Sequence, residues 1–502
     1  MTTYIVGIDF DSDGVFTDIS ADVLALDWRL GLAAPYESAA ANAAARITVR
    51  SPGGAYSPER TPLYPGTPVR IQSQDGAAVR THFTGLVRLV EPQPGDQGAR
   101  TAVIHARGLE FDLDQCRIRL PPLVNTRADV VIAAALDAAP LRRPVLKGRW
   151  LVGRAGHSEL GTNTRLPGLA LPRSLETGKT ALAYVGDTWG DGIPAGEAVR
   201  QAAEAERGRF FINREGTAVF YNRHHLLKDR TPQAVFADDM DGLVYSYGAG
   251  LVSRVRVRFS PRVVGAAESE LWALDEPQRL PPGFSRIVAR FVESDGRSMG
   301  ALEVLPPVRG VDFSASSAAD GSGANLSDQV TVTLRAAGFS AAELDIHNRA
   351  AGPAYLWARL RGTPLYRGDA LVVERANLYG QVFYGLESLD FDLPAFNSAA
   401  QADQLARYEL ARRKLPRGVA ASLTLSSPAH HPHILARTLF DRITVREAQT
   451  GQDADYFIVA EAHRVSLGGA RHEVTWTLES AEANAFWLLG VSRLGRDTVV
   501  AY

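Results

Sequence analysis

Acidic residues near the N terminus have the spacing of a metal-binding loop. Asp9, Asp11, Asp13 and Gly14 match the first half of the calcium loop D-x-D-x-D-G, in which carboxylate oxygens bind the ion. The bidentate glutamate that completes such a loop would fall at Ser20, and no helical pattern flanks the motif. We therefore favour a carboxylate-rich hairpin turn, with calcium binding as the alternative.

Histidines form a second group with the chemistry of metal ligands. His430, His431 and His433 could bind a transition metal through their imidazoles. The prolines of this stretch indicate an irregular loop, and no nearby cysteine or carboxylate completes a ligand shell. An exposed loop is the favoured interpretation, and the pair His224 and His225 is interpreted in the same way. The sequence thus predicts no metal site and no cofactor.

A run of aspartates could be taken for catalytic groups. Asp238, Asp239 and Asp241 carry the carboxylates that glycosidases use as general acid and base. Such a pair must face each other across a cleft, whereas these three follow one another on a single predicted loop. A solvated loop or a charged interface is therefore favoured. Zincin and Walker A sequences do not occur in the chain, so we predict no catalytic residue and a protein that is not an enzyme.

One predicted strand carries a regular row of arginines. Arg254, Arg256 and Arg258 alternate with apolar residues, which puts all three side chains on one face. A solvated edge, salt bridges between subunits and the lining of a channel for DNA are the alternatives. We favour a subunit interface, because a channel through which DNA slides should not bind phosphates tightly.

Composition limits the classes of protein to which the chain can belong. The chain has 502 residues, a formal net charge of -2 and 45% hydrophobic residues, which predicts several packed domains and no general affinity for nucleic acid. Cys116 is the only cysteine, so an intramolecular disulfide is excluded. We expect no secretory leader in the first ten residues and no membrane span, because no apolar run approaches about 20 residues.

Short alternating strands dominate both ends of the chain. Residues 46–50 (RITVR) alternate strictly, and Gly/Pro-rich turns separate several similar segments before residue 125. Residues 210–213 and 217–221 predict a hairpin with a glycine turn. Further strands are predicted at 419–425, 442–446, 456–462 and 473–479. This pattern favours a β-barrel or sandwich over a parallel α/β sheet.

Helices and a linker interrupt the strands. Helices are predicted at 126–139, with Thr126 as N-cap, at 196–207, and at 398–415, with Ser398 as N-cap and Pro416 as the stop. Residues 295–323 are rich in Gly, Ser, Ala and Asp, which predicts a linker or boundary. The apolar stretch FWLLGV near the C terminus is predicted to dock on a partner.

Segments at both ends of the chain carry recognisable motifs. The stretch ARITVRSPGGAYSPERTPLYPGTPVRIQ contains an aromatic-Ser-Pro triplet, a Pro-Gly pair and Val-Arg-Ile, and Phe-Thr-Gly follows at 83–85. These motifs resemble those of bacteriophage tail proteins. Near the C terminus, LARYELARRKLPR, DRITVRE and DYFIVAEAHRVSLGGARHEVTWTLESA resemble the same group. The segment NRAAGPAYLWARLRGTPLY resembles a β insert of these proteins.

This resemblance implies a tail hub, the central ring of a baseplate or tail tip. Its fold would be mainly β, with two tail-tube-like antiparallel β-barrels, a helical insert and a β-sandwich insert. Subunits of such hubs form homotrimers, in which two barrels per chain make a pseudo-sixfold ring. Expected partners are the tail tube or distal tail protein, the tape-measure protein and a tip, spike or fibre protein. DNA would pass through without sequence-specific binding, in a virion tail assembled in the bacterial cytoplasm.

The domain boundaries follow from the same comparison. We expect a first barrel at 1–125, with 208–240 as a candidate completing segment, and a helical or loop insert at 126–207. A second barrel would combine 241–298 with 400–480, around a sandwich-like insert at 299–399. Residues 481–502 would form the docking segment.

Two other classes of protein are kept as alternatives. A carbohydrate-binding tail adhesin would use exposed aromatics of β inserts, such as Trp272, Tyr355 and Trp357. A tail-associated cell-wall hydrolase would need motifs that the sequence lacks. A contractile injection system is a variant of the hub, and the sequence does not distinguish it from a phage.

Overall fold

The fold is mainly β and contains several sheets. The computed structural model describes residues 2–94, 100–139, 171–481, 486–487 and 499–500. Residues 140–170 of the predicted helical or loop insert and most of the FWLLGV segment lie outside these residues. Within the described residues, no helix is long and apolar enough to cross a membrane.

The largest sheet of the described chain has 13 strands and draws them from both ends of the sequence. Alternating apolar residues explain why these segments form strands. In Ala44–Arg50, Ala45, Ile47 and Val49 point into the core, as the alternation of RITVR predicts. In spatial order, eleven of the strands are Gly242–Tyr247, Gly418–Ser426, Arg471–Ser480, Gln452–Ser466, Val23–Gly31, Ala44–Arg50, Thr101–Arg107, Ala78–Gln93, Pro68–Asp75, Thr3–Ile8 and Thr17–Asp18. Arg442–Glu447 pairs with Gln452–Ser466, and Ala234–Ala237 pairs with Arg442–Glu447.

One strand joins the two ends of the chain within this sheet. Val23–Gly31 pairs with Ala44–Arg50 on one side and with Gln452–Ser466 on the other, both antiparallel. At the end of the strand, Gly31 has φ +108°, and a β-carbon there would lie 2.4 Å from the carbonyl oxygen of Val459. Among the described residues, no sheet closes on itself. The two closed barrels that the resemblance implies therefore remain a prediction.

A helical region packs beside the sheet. Its helices are Glu110–Gln115, Ala128–Ala138, Ala195–Glu206 and His225–Lys228. Its short strands are Arg117–Ile118, Leu123–Arg127, Arg173–Leu175, Ala181–Val185, Ile193–Pro194, Arg209–Ile212 and Ala218–Tyr221. The last two form the predicted hairpin. The N-cap prediction at Thr126 is wrong, because Leu123–Arg127 pairs as a strand with Ala181–Val185 and the helix begins only at Ala128.

A three-stranded sheet and a long helix follow. Arg254–Phe259 lies between Leu371–Ala376 and Ser388–Asp392, and its buried residues Val255, Val257 and Phe259 share a core with the helix Ala399–Arg413. This helix confirms the prediction at 398–415. Ser398 occupies the N-cap position, but its side chain makes no capping hydrogen bond.

A third unit surrounds the long strand Ala354–Arg367. It pairs with Arg262–Val264, Ser269–Ala273, Gln278–Leu280, Gly300–Val304 and Phe313–Ser316. A second sheet, Gly283–Arg290, Ala341–Asn348 and Val330–Ala337, contributes to the same core. The linker predicted at 295–323 is wrong, because two of these strands lie in it. Its small residues, such as Ala301 and Ala315, are buried against the long strand, where a larger side chain is not needed.

Short helical segments complete the described chain. The α-helices Leu378–Tyr384 and His431–Ala436 lie in connections between strands. The 3-10 helices are Ser20–Asp22, Pro52–Gly54 and Leu467–Gly469. The last of these contains Gly468 and Gly469 and lies between the strands Gln452–Ser466 and Arg471–Ser480. The strands Phe486–Trp487 and Val499–Val500 pair in parallel.

Candidate assembly surfaces and buried polar clusters

A short helix presents a concentrated apolar surface to solvent. Leu378–Tyr384 and the residues after it expose six large apolar side chains, which we call the 378–386 patch: Leu378, Tyr379, Val382, Phe383, Tyr384 and Leu386. Val382 is 79% exposed, and only Gly380 of the helix is buried. An apolar cluster of this kind on a soluble protein indicates a surface that another protein covers.

Polar contacts hold the helix in this orientation. The Asn377 N–H donates to the carbonyl oxygen of Ser253 (2.8 Å), and Asn377 Nδ2 donates to that of Lys414 (3.1 Å). Ser253 Oγ donates to the carbonyl oxygen of Gly385 (3.0 Å). Since these hydrogen bonds attach the helix at both ends, the outward position of its apolar side chains is fixed by the fold.

The arginine row predicted on one strand is confirmed. Arg254 and Arg256 are half-buried and Arg258 is exposed, on the face opposite the buried valines. Carboxylates of the two flanking strands face it, with Arg256 Nε 3.6 Å from Asp390 and 3.9 Å from Glu374. The positive charge of the row is therefore partly neutralised within the chain.

Buried ion pairs connect the chain around residue 210 to two distant strands and to the helix Ala399–Arg413. Arg209 pairs with Glu479, Arg214 with Glu461, and Arg207 with Glu409, at 2.8, 2.5 and 2.7 Å. Burial opposes the ionisation of Glu409, but Arg207 and two further arginines outweigh it and lower its pKa to about 2. Burial is likewise outweighed at Glu461, where Arg214 lowers the pKa to about 2. The sequence analysis did not predict these pairs. Charged residues at inward-facing strand positions, such as Glu461 and Glu479, could have indicated them.

Histidines and aromatics form a second buried cluster in the largest sheet. Tyr4 Oη and His472 Nδ1 are hydrogen-bonded at 2.6 Å, and His463 Nδ1 and His472 Nε2 at 2.9 Å. Trp28 stacks on His463 with ring centroids 4.7 Å apart, and His82 is hydrogen-bonded to Ser73 (2.7 Å). Burial lowers the pKa of His82 to about 2 and that of His472 below its usual range. These rings are therefore neutral packing groups.

The acidic N-terminal motif forms a turn. Asp9 is buried, and its carboxylate accepts the backbone N–H groups of Asp13 (3.1 Å) and Gly14 (2.9 Å). Asp13 in turn accepts the N–H of Val15 (2.9 Å). Asp11 is exposed. The carboxylates are thus used to stabilise the backbone of the turn.

The exposed loop predicted for the histidine group is wrong. His431 begins the helix His431–Ala436, which is anchored because its residues Ile434 and Leu435 are buried. His430 is buried and donates from Nε2 to the carbonyl oxygen of Asp239 (2.6 Å). His431 and His433 contact different partners, namely Tyr4 Oη at 3.2 Å and the ring of Phe236. In the described residues, no group of three metal-ligating side chains converges.

The remaining predicted positions lie apart from one another. Asp238, Asp239 and Asp241 are exposed on one loop, as the sequence predicts. His225 stacks on Tyr221 and contacts Glu176 (2.8 Å) instead of lying free, so the loop interpretation is wrong for it as well. The aromatics proposed for sugar binding, Trp272, Tyr355 and Trp357, are each half-buried.

A cleft of about 680 Å³ contains carboxyl groups in an unusual state. Glu110, Asp114, Glu204 and Arg200 contribute to its lining. Glu110 Oε2 has no hydrogen-bond partner among the described residues, and burial raises the pKa of Glu110 to about 7. Burial also raises the pKa of Glu204, whereas Asp114 pairs with Arg200 (2.9 Å). A carboxyl group whose pKa is raised in this way can, when it is protonated, donate a hydrogen bond as well as accept one.

Comparison with known proteins identifies structural likenesses at low identity. No protein-family model and no curated protein matches the chain. It is similar to the 43 kDa tail protein of prophage MuSo2 from Shewanella oneidensis (TM-score 0.49, 10% identity, 96% of this chain and 99% of that one). A tail protein from Neisseria meningitidis gives TM-score 0.49 at 10% identity, with 95% and 97% covered. A type VI secretion component of E. coli gives 0.36 at 10%, with 95% and 76% covered. The structural neighbours are therefore tail and tail-like proteins, the group that the sequence resembles.

Proposed function

We propose that the chain is a structural subunit of a tail hub in a phage or phage-like particle. In this proposal it forms a homotrimeric ring that joins the sixfold tail tube to the threefold tip, and it catalyses no reaction. The segments that resemble tail proteins support this function, because they occur at both ends of the chain. Their strands lie in one sheet, in which Val23–Gly31 joins Ala44–Arg50 to Gln452–Ser466.

The 378–386 patch is the observation that carries the proposal. Six exposed large apolar side chains within nine residues are costly for a monomer, because burying each would contribute roughly 1.5–3 kcal/mol. The helix is hydrogen-bonded at both ends in this position. In a permanently assembled particle, a neighbouring subunit would cover the patch and remove this cost. We therefore assign the patch to contacts between copies of the chain.

The wider assignment follows from the symmetry of such a ring. Two tube-like barrels per chain, repeated three times, would match a sixfold tube on one side and a threefold tip on the other. The partners would be the tail tube or distal tail protein, the tape-measure protein and a tip, spike or fibre protein. The particle would be a virion tail assembled in the bacterial cytoplasm, or a contractile injection system, with no stable membrane insertion.

The arginine row is assigned to the interface or the lumen of the ring. Because Asp390 and Glu374 already lie near Arg256, the row would hold DNA phosphates only weakly. DNA could then pass without sequence-specific binding. This is a proposal about the role of Arg254, Arg256 and Arg258.

Mass photometry tests the proposed assembly. The wild-type chain should give a species near three times 54.2 kDa. The double variant Val382→Asp with Phe383→Ser should dissociate it, because a charge would be buried in the interface. Val15→Asp, at an exposed position in another turn, is the matched control and should leave the mass unchanged. A wild-type monomer with a folded circular dichroism spectrum would refute the proposal.

The hydrolase alternative has one structural correlate, the cleft with Glu110 and Glu204. Carboxyl groups with raised pKa values are suited to general acid catalysis. A zymogram with purified cell-wall peptidoglycan separates the two functions. Clearing that is lost in Glu110→Gln would favour the hydrolase, whereas the proposed hub clears nothing.

A further inference from the structure

An exposed aromatic platform lies on the outer face of the sheet formed by Gly283–Arg290, Ala341–Asn348 and Val330–Ala337. Phe284 stacks on His347, with ring centroids 3.9 Å apart and an interplanar angle of 7°. Phe284 is 81% exposed, the highest value among the large apolar side chains of the described chain. The stack offers one flat apolar face to solvent.

Strand register fixes the platform in place. Phe284 is directly opposite His347, and Thr331 is opposite His347 on the other side. The alternate residues of the central strand, Leu344 and Ile346, are buried in the core. Because successive side chains of a strand point to opposite faces, Phe284 cannot turn inward without a slip of register.

Polar side chains surround the platform, and hydrogen bonds to neighbouring residues fix their positions. In the next row of the sheet, Arg286 Nε donates to Asp345 Oδ1 (2.8 Å). On the other side, Arg349 Nη2 donates to Thr331 Oγ1 (3.1 Å). Donors and acceptors therefore lie on both sides of the stacked rings, and their side chains are held by neighbours before any ligand arrives.

We propose that this platform binds an uncharged saccharide. The C–H face of a sugar ring would lie on Phe284, and its hydroxyl groups would reach Arg286, Asp345 and Thr331, which supply both donors and acceptors. The role is additional to that of a hub subunit and does not depend on it. It also differs from the sequence hypothesis, whose aromatics Trp272 and Trp357 are half-buried.

Other occupants fit this face less well. A protein partner would find mainly Phe284 and Val288 as large apolar contacts, among charges that are already paired. A nucleic acid could stack a base on Phe284, but Arg286 and Arg335 are already paired with Asp345 and Glu343, so these arginines would bind its phosphates only weakly. An uncharged sugar needs no unpaired charge and can use the carboxylates as hydrogen-bond acceptors.

The experiment uses the purified full-length chain on an array of bacterial polysaccharides, lipopolysaccharides and neutral oligosaccharides. The strongest saccharide is then titrated by calorimetry at low and high ionic strength, with single-stranded oligothymidine as a second probe. We expect saccharide binding that changes little with salt, because no charge on the ligand is involved. Phe284→Ala and His347→Ala should each weaken it about tenfold or more, since both remove part of the stack.

Two further variants distinguish stacking from general apolar contact. Phe284→Trp should retain the affinity, whereas Phe284→Leu should lose it as Phe284→Ala does, because leucine is apolar but has no flat face. Tyr247→Ala removes an exposed aromatic elsewhere and should have no effect. All variants should keep the wild-type melting temperature.

Four results would overturn the proposal. One is that the folded wild-type chain binds no saccharide on the array. Another is binding that Phe284→Ala leaves unchanged. Retained affinity in Phe284→Leu would indicate an ordinary apolar contact. Salt-sensitive binding of oligothymidine in place of saccharide would assign the platform to nucleic acid.

Discussion

Arg209 and Glu479 lie 270 positions apart in the chain and form a buried ion pair, in which Arg209 Nη2 donates to both carboxylate oxygens at 2.8 and 3.0 Å. Arg209 Nη1 also donates to the carbonyl oxygen of Glu37 (2.7 Å), and Glu479 accepts the N–H of Tyr36 (2.7 Å). The pair thus connects a hairpin, an N-terminal loop and a C-terminal strand.

Removing one partner of this pair should be strongly destabilising. Arg209→Met leaves Glu479 buried with a reduced set of donors, so we expect the free energy of unfolding to fall by about 3–5 kcal/mol. The matched control is Arg446→Met, which breaks the exposed pair with Asp453 and should cost less than about 1 kcal/mol. Urea denaturation measures both. Equal losses in the two variants would contradict the structural role of the buried pair.

The histidine cluster should make stability depend on pH below neutrality. Burial lowers the pKa of His82 to about 2 in the folded chain, whereas the unfolded chain binds the proton near pH 6.5. The unfolded state therefore takes up more protons as the pH falls. Stability is full above about pH 6.5 and is lost below it, at about 1.4 kcal/mol per pH unit for each such histidine.

The variant His82→Gln tests this dependence. Glutamine keeps a group that can bond to Ser73 but does not titrate, so the slope of stability against pH between 6.5 and 4.8 should fall by about 1.4 kcal/mol per unit. The window stops there because Glu409 and Glu461, with pKa values of about 2, lose their contribution only as the pH falls below about 4.5. An unchanged slope would show that His82 accepts a proton in the folded state.

Gly31 should tolerate no side chain, because it lies where the N-terminal strand meets the C-terminal one. A β-carbon would lie 2.4 Å from the Val459 carbonyl oxygen and 2.6 Å from Ala460 Cα. Gly31→Ala should therefore cost about 3 kcal/mol or more. Gly53→Ala is the control, since Gly53 also has a positive φ, +61°, but has open space around it. Gly53→Ala should cost about 1–2 kcal/mol. If thermal unfolding showed Gly53→Ala to be the more destabilising variant, the close approach of the two strands at Gly31 would be contradicted.

The acidic turn near the N terminus should stabilise the chain without calcium. Asp9→Asn removes the charge that accepts the Asp13 and Gly14 N–H groups, and should cost about 1–2 kcal/mol. Calcium in excess should leave the melting temperature of the wild type unchanged. A rise in melting temperature with calcium that Asp9→Asn abolishes would instead establish a calcium site.

The alternation of polar and apolar residues predicted many strands, because it directly reflects which side chains are buried. RITVR and the arginine row at 254–258 fall on strands whose inward residues are buried, and the helix at 398–415 is present. The linker prediction at 295–323 failed because Ala301 and Ala315 are small enough to give no apolar signal yet are buried. In the histidine group, buried Ile434 and Leu435 outweighed the loop signal of the prolines.

The sites depend on contacts that the sequence does not report. Arg214 and Glu461 are 247 positions apart, so neither residue predicts the other. The 378–386 patch has the composition of a core segment, and only the exposure of its side chains in the structure shows that it points outward. Phe284 likewise differs from a buried strand residue only in the face on which it lies.

A three-dimensional map of the purified assembly by electron cryomicroscopy is the most direct test of the proposed hub. The account predicts a threefold ring around a hollow axis, with the 378–386 patch covered by a neighbouring copy of the chain. A particle containing one chain, with Val382 and Phe383 open to solvent and no central channel, would contradict it.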